Sequence, residues 1–378
     1  MARRIKKKSV SDMMSDYSRL VSETDVLAKT DLAPVLHGLF GEVGGIMSTT
    51  KKLVREKSAY PGYRIAAVEE FGDAAWYLSA LARRLDCEVG DIFLPHPSAN
   101  RVLVNVASKK RAQNDSNLAP SRLNTLNIAL FELGKAAASL LSAQPNIGAL
   151  QRFAGCYVEA LAAANVGLRE VLNFNVKKVR GSFVEPNRAR LKDFDQKFKI
   201  EEQLPRKFRI RVNQRESGKS YLQWNGVFIG DPLTDNSKDK DGYRFHDVFH
   251  FSYAAILHWS PVFRSLIKQK RKSSKRHDEV EDGGRAIVVE EGISAWVFSR
   301  AKEMDFFANQ TRVSLDMLKT IQQFTKGYEV EDCPPKLWER AILDGFTVFR
   351  ALKKHKGGWI VGDRDERTIT FEPLERTP

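Results

Sequence analysis

A chain of 378 residues has length for two or three domains with ample core. With 42% apolar and 29% charged residues it reads as a soluble globular protein, and no window approaches eighteen uninterrupted apolar residues, so no membrane span is expected. The net charge of +14 asks for an acidic partner.

The opening M-A-R-R-I-K-K-K-S is basic and lacks an apolar core, which argues against a secretory signal and leaves residues 1–10 as a basic arm. Residues 11–27 place Met13, Met14, Tyr17, Leu20 and Val21 at helical spacing. Asp31 is positioned to cap a second helix, with Pro34 in its first turn, that runs to about Glu56. Pro61-Gly62 separates it from a third helix ending near Leu85.

These two helices carry the first constellation. Glu42 lies in G-L-F-G-E-V-G, with Leu36, Leu39, Phe40, Val43, Ile46 and Met47 around it. Glu70 and Asp73, three apart in E-E-F-G-D-A-A-W-Y-L, share a helix face. Packed antiparallel, the two helices would gather three carboxylates, which suits a hard divalent cation and phosphate chemistry. The bland reading of such acids is a solvated face, but the apolar run Ala74, Ala75, Trp76, Leu78, Leu81 and Ala82 points to burial, and buried carboxylates need a partner.

At these residues the chain resembles the MazG-like family of all-α nucleoside triphosphate pyrophosphohydrolases, whose pattern is E-x-x-E on one helix and E-x-x-D on the next. The resemblance implies Mg²⁺, with Mn²⁺ as an alternative, held by Glu42, Glu70 and Asp73. Gly45 departs from the pattern, standing where the family usually has its second Glu, and Glu69 could compensate only with a rotated helix. A later N-x-x-K helix of the family is matched by N-V-K-K-V-R-G-S-F, which makes Asn175 and Lys178 candidate phosphate or metal-shell contacts.

Residues 93–121 are polar and turn-rich and read as a linker or insertion. Two helical stretches follow, Leu123 to Ala143 and Ile147 to Asn175, weakly echoing the first pair. A duplicated hairpin would put Leu150 and Phe153 in the places of Glu70 and Asp73, a scaffold copy without acids standing in for a dimer partner. A homodimer therefore stays open.

Arg180 to Pro205 is charged and irregular, so domains are expected at 11–185 and 206–378. Phe208 to Val212 alternates, and Tyr221 to Gly230 is aromatic and β-branched, which together read as a hairpin around R-E-S-G-K. The acidic loop from Asp231 to Gly242 is a surface or active-site loop without the spacing of a calcium loop.

The second constellation is Y-R-F-H-D-V-F-H, in which His246, Asp247 and His250 cluster on a helix. Glu290 and Glu291 sit in another apolar helix. A metal or acid/base centre is one reading of these five residues, and a satisfied core pair of histidine and glutamate is the other. Helices near Val313 to Lys326 and Pro335 to Lys354 follow, and the run from Trp359 to Phe371 closes as a hairpin expected to pair with the earlier strands. This half resembles the extra domain attached to some MazG-like proteins.

Cys87, Cys156 and Cys333 are far apart and odd in number, which disfavours disulfides and zinc and points to the cytoplasm. The basic runs are spread along the chain without interleaved aromatics, so nucleic acid is less favoured than a nucleotide as the acidic partner.

The fold class expected is mainly α: an N-terminal helical bundle of MazG type and a C-terminal α+β domain with small β-hairpins. The expected function is Mg²⁺-dependent hydrolysis of a nucleoside triphosphate to the monophosphate and pyrophosphate. Glu69 and Glu70 would be catalytic, and Lys51, Lys52, Arg55, Asn175 and Lys178 would bind substrate. Two alternatives are a C-terminal His/Asp/Glu centre with the MazG-like part sensing nucleotide, and a degenerate nucleotide-binding or nucleic-acid-associated module.

Overall fold

The computed structural model describes residues 9–60, 62–94, 120–142, 145–238 and 240–374. It divides into two compact units, residues 1–184 and 185–378. Most of the expected basic arm and of the 93–121 segment lies outside the described residues.

The first unit is built from helices α1 (Val10–Val21), α2 (Ala33–Glu56), α3 (Tyr63–Arg84), α4 (Val89–Phe93), α5 (Pro120–Ser142), α6 (Ile147–Ala163) and α7 (Leu168–Phe183). Ser9 and Asp12 cap α1 reciprocally, each side chain accepting from the other's backbone N–H, so Ser9 and Val10 belong to the helix and not to an arm. Its buried face of Met13, Met14, Tyr17 and Val21 follows the helical period.

Hairpins α2–α3 and α5–α6 pack through α2 and α5, while α7 lies against α3. Leu150 and Phe153 are fully buried, as scaffold positions require. Glycines set the close crossings: a Cβ at Gly72 would come within 2.8 Å of the Asn175 Cβ, so only glycine lets α7 lie this near α3.

One helix expected over Ile147 to Asn175 is two. Asn165 takes a left-handed conformation (φ 56°) that stops α6, and α7 starts at Leu168. Asn175 and Lys178 thus stand in the body of α7, not at a helix end.

The second unit contains strands β1 (Lys207–Gln214), β2 (Ser220–Trp224), β3 (Val227–Leu233), β4 (Gly357–Asp363) and β5 (Thr368–Glu372), forming one antiparallel sheet of order β3-β2-β1-β4-β5. The stretch from Tyr221 to Gly230, expected as a single strand, is two strands joined at Asn225-Gly226. Both residues have positive φ (50° and 80°), the requirement of a tight hairpin turn. The closing hairpin pairs with β1 through β4, Ile360 opposite Ile210.

Helices α8 (Asp247–Leu257), α9 (Pro261–Ile267), α10 (Gly284–Lys302), α11 (Leu315–Phe324) and α12 (Pro335–His355) complete the unit. Phe208, Ile210 and Val212 form the buried face of β1, and α8 and α12 pack against β4 and β5. A cluster of Phe249, Phe298, Phe346 and Phe349 joins α8, α10 and α12. Residues 185–205, irregular in sequence, run with this unit. Asp195 is wholly buried and binds Arg264, and its Oδ2 accepts from the Leu204 N–H at 2.8 Å. The chain is mainly α with one small sheet, and among the described residues no helix is long and apolar enough to cross a membrane.

Candidate functional site

In the first unit α2, α3 and α7 bring Glu42, Glu69, Glu70, Asp73, Asn175 and Lys178 together. The Glu42 and Glu70 carboxyls face each other across α2 and α3. Glu42 is pushed up to about 8 by burial first, then by the charges of Asp73 and Glu70. Burial also raises Asp73, against the pull of Lys178. From α7, Lys178 Nζ pairs with Asp73 and stands 2.9 Å from Glu69 Oε1. Burial would lower the Lys178 ammonium, and Asp73 and Glu69 outweigh it, so the group is held up and charged.

Asn175 is fully buried, and both the nitrogen and the oxygen of its amide are engaged within the protein. Its Nδ2 donates to Asp73 Oδ1 at 2.7 Å, and its Oδ1 accepts from the Tyr17 hydroxyl at 2.6 Å. It therefore orients Asp73, as an outer-shell group does for a ligand. Tyr17 is the member that sequence reasoning missed: it reads as an apolar-face residue of α1, and its only signal was a polar tip on a buried face.

Gly45 lies beneath Glu70. A Cβ there would run into the Glu70 carboxylate, reaching 2.8 Å from its Cδ. The missing acid at position 45 is thus the space into which Glu70 leans, and Glu69, directed at Lys178, does not fill it.

Lys51, Lys52 and Arg55 are exposed. Lys51 and Arg55 line a cleft of 350 Å³ with Val54, Leu130 and Phe131 between α2 and α5. Lys51 lies nine residues beyond Glu42, about 14 Å along the helix axis at 1.5 Å per residue. Arg55 is also paired with Glu56. These three basic residues do not join the acid cluster.

In the second unit His246 precedes the first turn of α8 instead of lying within it, and His250 stands one turn on. His246 Nδ1 donates to the Tyr243 carbonyl at 2.9 Å, and the ring stacks on Tyr243 at 4.3 Å. His250 is fully buried, and its Nδ1 donates to Glu290 Oε1 at 2.9 Å. Glu290 is held in turn by the Ser260 hydroxyl (2.7 Å) and the Val262 N–H (2.8 Å). Burial would lower His250, but the Glu290 charge outweighs it and the imidazole is raised. Glu291 is lowered: burial works upward, and the imidazoles of His250 and His246 beside it overcome that rise.

Ligand atoms of His246, Asp247 and His250 lie within 4.8 Å of one another, a grouping that can hold a metal ion. Neither curated proteins nor solved structures yield a match to the chain. Residues 189–375 do match the family model described as the MazG C-terminal domain, so the second unit is similar to that domain.

Proposed function

We propose that the first unit is a divalent-cation-dependent nucleoside triphosphate pyrophosphohydrolase. The observation that carries this reading is the meeting of Glu42, Glu70 and Asp73 from α2 and α3, where burial first and then the charges of Asp73 and Glu70 hold Glu42 near 8. A half-buried cluster with surplus negative charge and hard oxygen donors fits Mg²⁺ or Mn²⁺. The match of the second unit to a MazG-associated domain supports a nucleotide-related role.

Glu42, Glu70 and Asp73 would hold the ion, which when bound neutralises triphosphate oxygens and activates a water. Asn175 and Lys178 keep the Asp73 carboxylate turned to its place. Glu69, paired with Lys178 at 2.9 Å, would be the carboxylate that takes the proton of the attacking water. Attack at the α-phosphorus breaks its bond to the bridging oxygen and yields the nucleoside monophosphate and pyrophosphate.

The test is product analysis with the intact chain on a panel of ribo- and deoxyribonucleoside triphosphates, with Mg²⁺, with Mn²⁺ and with chelator. Cation-dependent release of pyrophosphate with equimolar monophosphate is expected. Release of orthophosphate, or none, sinks the reading.

A pH dependence follows from Glu42. Its raised carboxyl holds a proton below about 8, and a cation must displace that proton to gain the ligand. Apparent Mg²⁺ affinity is therefore expected to rise about tenfold between pH 7 and pH 9 and then level off, since each unit below the pKa costs about a factor of ten. Calorimetric titration in buffers of different ionisation enthalpy measures affinity and proton release together. An affinity flat over that range would remove Glu42 from the ligand set.

A further inference from the structure

The His246 and His250 cluster has a feature that a simple buried ion pair leaves unexplained. His250 Nε2 is buried without a hydrogen-bond partner, although Glu291 Oε2 is 3.4 Å away. Each imidazole is anchored through Nδ1 to an acceptor, a carbonyl for His246 and a carboxylate for His250. That anchoring directs both Nε2 atoms to the same place. His246 Nε2 stands 3.5 Å from Asp247 Oδ1 and 3.8 Å from Glu291 Oε2.

A proton on His250 Nε2 would satisfy one pair among these groups. A cation at their centre would satisfy four. Asp247, Glu290 and Glu291 each stand within 3.8 Å of a ring nitrogen of the two imidazoles. We propose that the second unit carries a transition-metal site whose ligands are His246 Nε2, His250 Nε2, Asp247 and Glu291, with Glu290 as the positioning residue behind His250.

The donor set decides the class of ion. Two imidazoles with carboxylates suit Zn²⁺, Co²⁺ or Mn²⁺ better than Mg²⁺, which prefers all-oxygen shells. Bonds of about 2.1 Å in a tetrahedral shell put ligands about 3.4 Å apart. The present spread of up to 4.8 Å closes by small side-chain rotations. Glu290 does for His250 what outer-shell carboxylates do for metal-bound histidines, fixing tautomer and ring orientation. The Glu291 side chain is 40% exposed, whereas that of Glu290 is 0%, so the ion would enter, and keep an open position, on the Glu291 side.

The proposal is independent of the first unit's activity. The test is therefore run on the full chain carrying Glu70→Gln, which weakens the acid cluster of the first unit. After treatment with chelator, the protein is titrated with Co²⁺ in excess Mg²⁺, following the visible absorption of the ion, and metal content is measured after dialysis against Zn²⁺.

One ion per chain is expected, with a Co²⁺ spectrum of nitrogen and oxygen ligation. Binding is expected to fall at least about tenfold in His246→Ala and in Glu291→Gln. These two side chains lie at the edge of the cluster, so their loss spares the buried His250–Glu290 pair; tryptophan fluorescence checks the fold. No retained ion, or binding unchanged in both variants, overturns the proposal and leaves a structural ion pair.

Discussion

Glu70→Gln is expected to lower pyrophosphate release by about 10³-fold while leaving the fold intact. The substitution keeps size and hydrogen-bonding capacity, so the side chain can still lean over Gly45 and meet Glu42. What it removes is one full charge from the cluster. The cation then has one anionic ligand fewer in a half-buried place, where each charge counts for more than in water. The same change relieves Glu42, which Glu70 helps to push up, so part of the pH dependence of Mg²⁺ binding disappears with it.

Steady-state release of pyrophosphate at saturating Mg²⁺ reads the effect, and circular dichroism checks the helices. Two outcomes would move the chemistry elsewhere. If Glu70→Gln retains full activity, the first unit is not the catalyst. If His250→Ala alone abolishes release in a folded protein, the second unit holds the reacting centre.

The largest stability effect is expected at Arg271. Its guanidinium is buried and donates to Asp282 Oδ1 at 2.7 Å and to Glu329 Oε1 at 2.6 Å. Arg264 binds Asp195 and approaches Asp282 at 3.5 Å, while Arg364 reaches Asp193 at 3.0 Å. Asp195 and Asp282 are both 0% exposed. Arg271→Met removes the cation and leaves Asp282 and Glu329 without it, a change that costs about 3–5 kcal/mol for a buried pair. That is a large part of the whole stability of a domain.

Acid is expected to recover some of the loss. Glu329 is already pushed up to about 7 by burial, with Arg271 working against that rise. Without Arg271 it goes higher, and a raised carboxyl favours the folded state at low pH, losing that contribution as pH climbs through its folded value. Urea unfolding followed by tryptophan fluorescence measures both effects, because five of the six tryptophans, Trp224, Trp259, Trp296, Trp338 and Trp359, lie in the second unit. A loss under about 1 kcal/mol at pH 8 would show that the network contributes no more than a solvated pair.

Much of this protein was legible before folding. Periodicity placed the helices because burial of one face is a local property of spacing, as in α1 and α2. The three-residue step from Glu70 to Asp73 and the four-residue step from His246 to His250 each implied a shared face. Local signals also failed locally. The break at Asn165 rests on one left-handed residue inside an apolar helical run. The Asn225-Gly226 turn was hidden by its aromatic flanks. Asp193 and Asp195, in a stretch without period, gave no hint that they anchor buried arginines.

By itself the sequence determined a mainly helical chain, the acids of α2 and α3 and the pair of histidines, His246 and His250, at the start of α8. Only the tertiary structure decided what each of them meets. Neighbours such as Glu69 and Glu70, or Glu290 and Glu291, differ by about 100° around a helix, and packing alone chooses which one faces which partner. So Glu70 leans over Gly45 towards Glu42 while Glu69 turns to Lys178, and Glu290 is buried behind His250 while Glu291 stands at the solvent edge. Charge and hydrogen bonding act through space, and the distances that set them, such as Tyr17 to Asn175 across 158 residues of chain, exist only once the helices have packed.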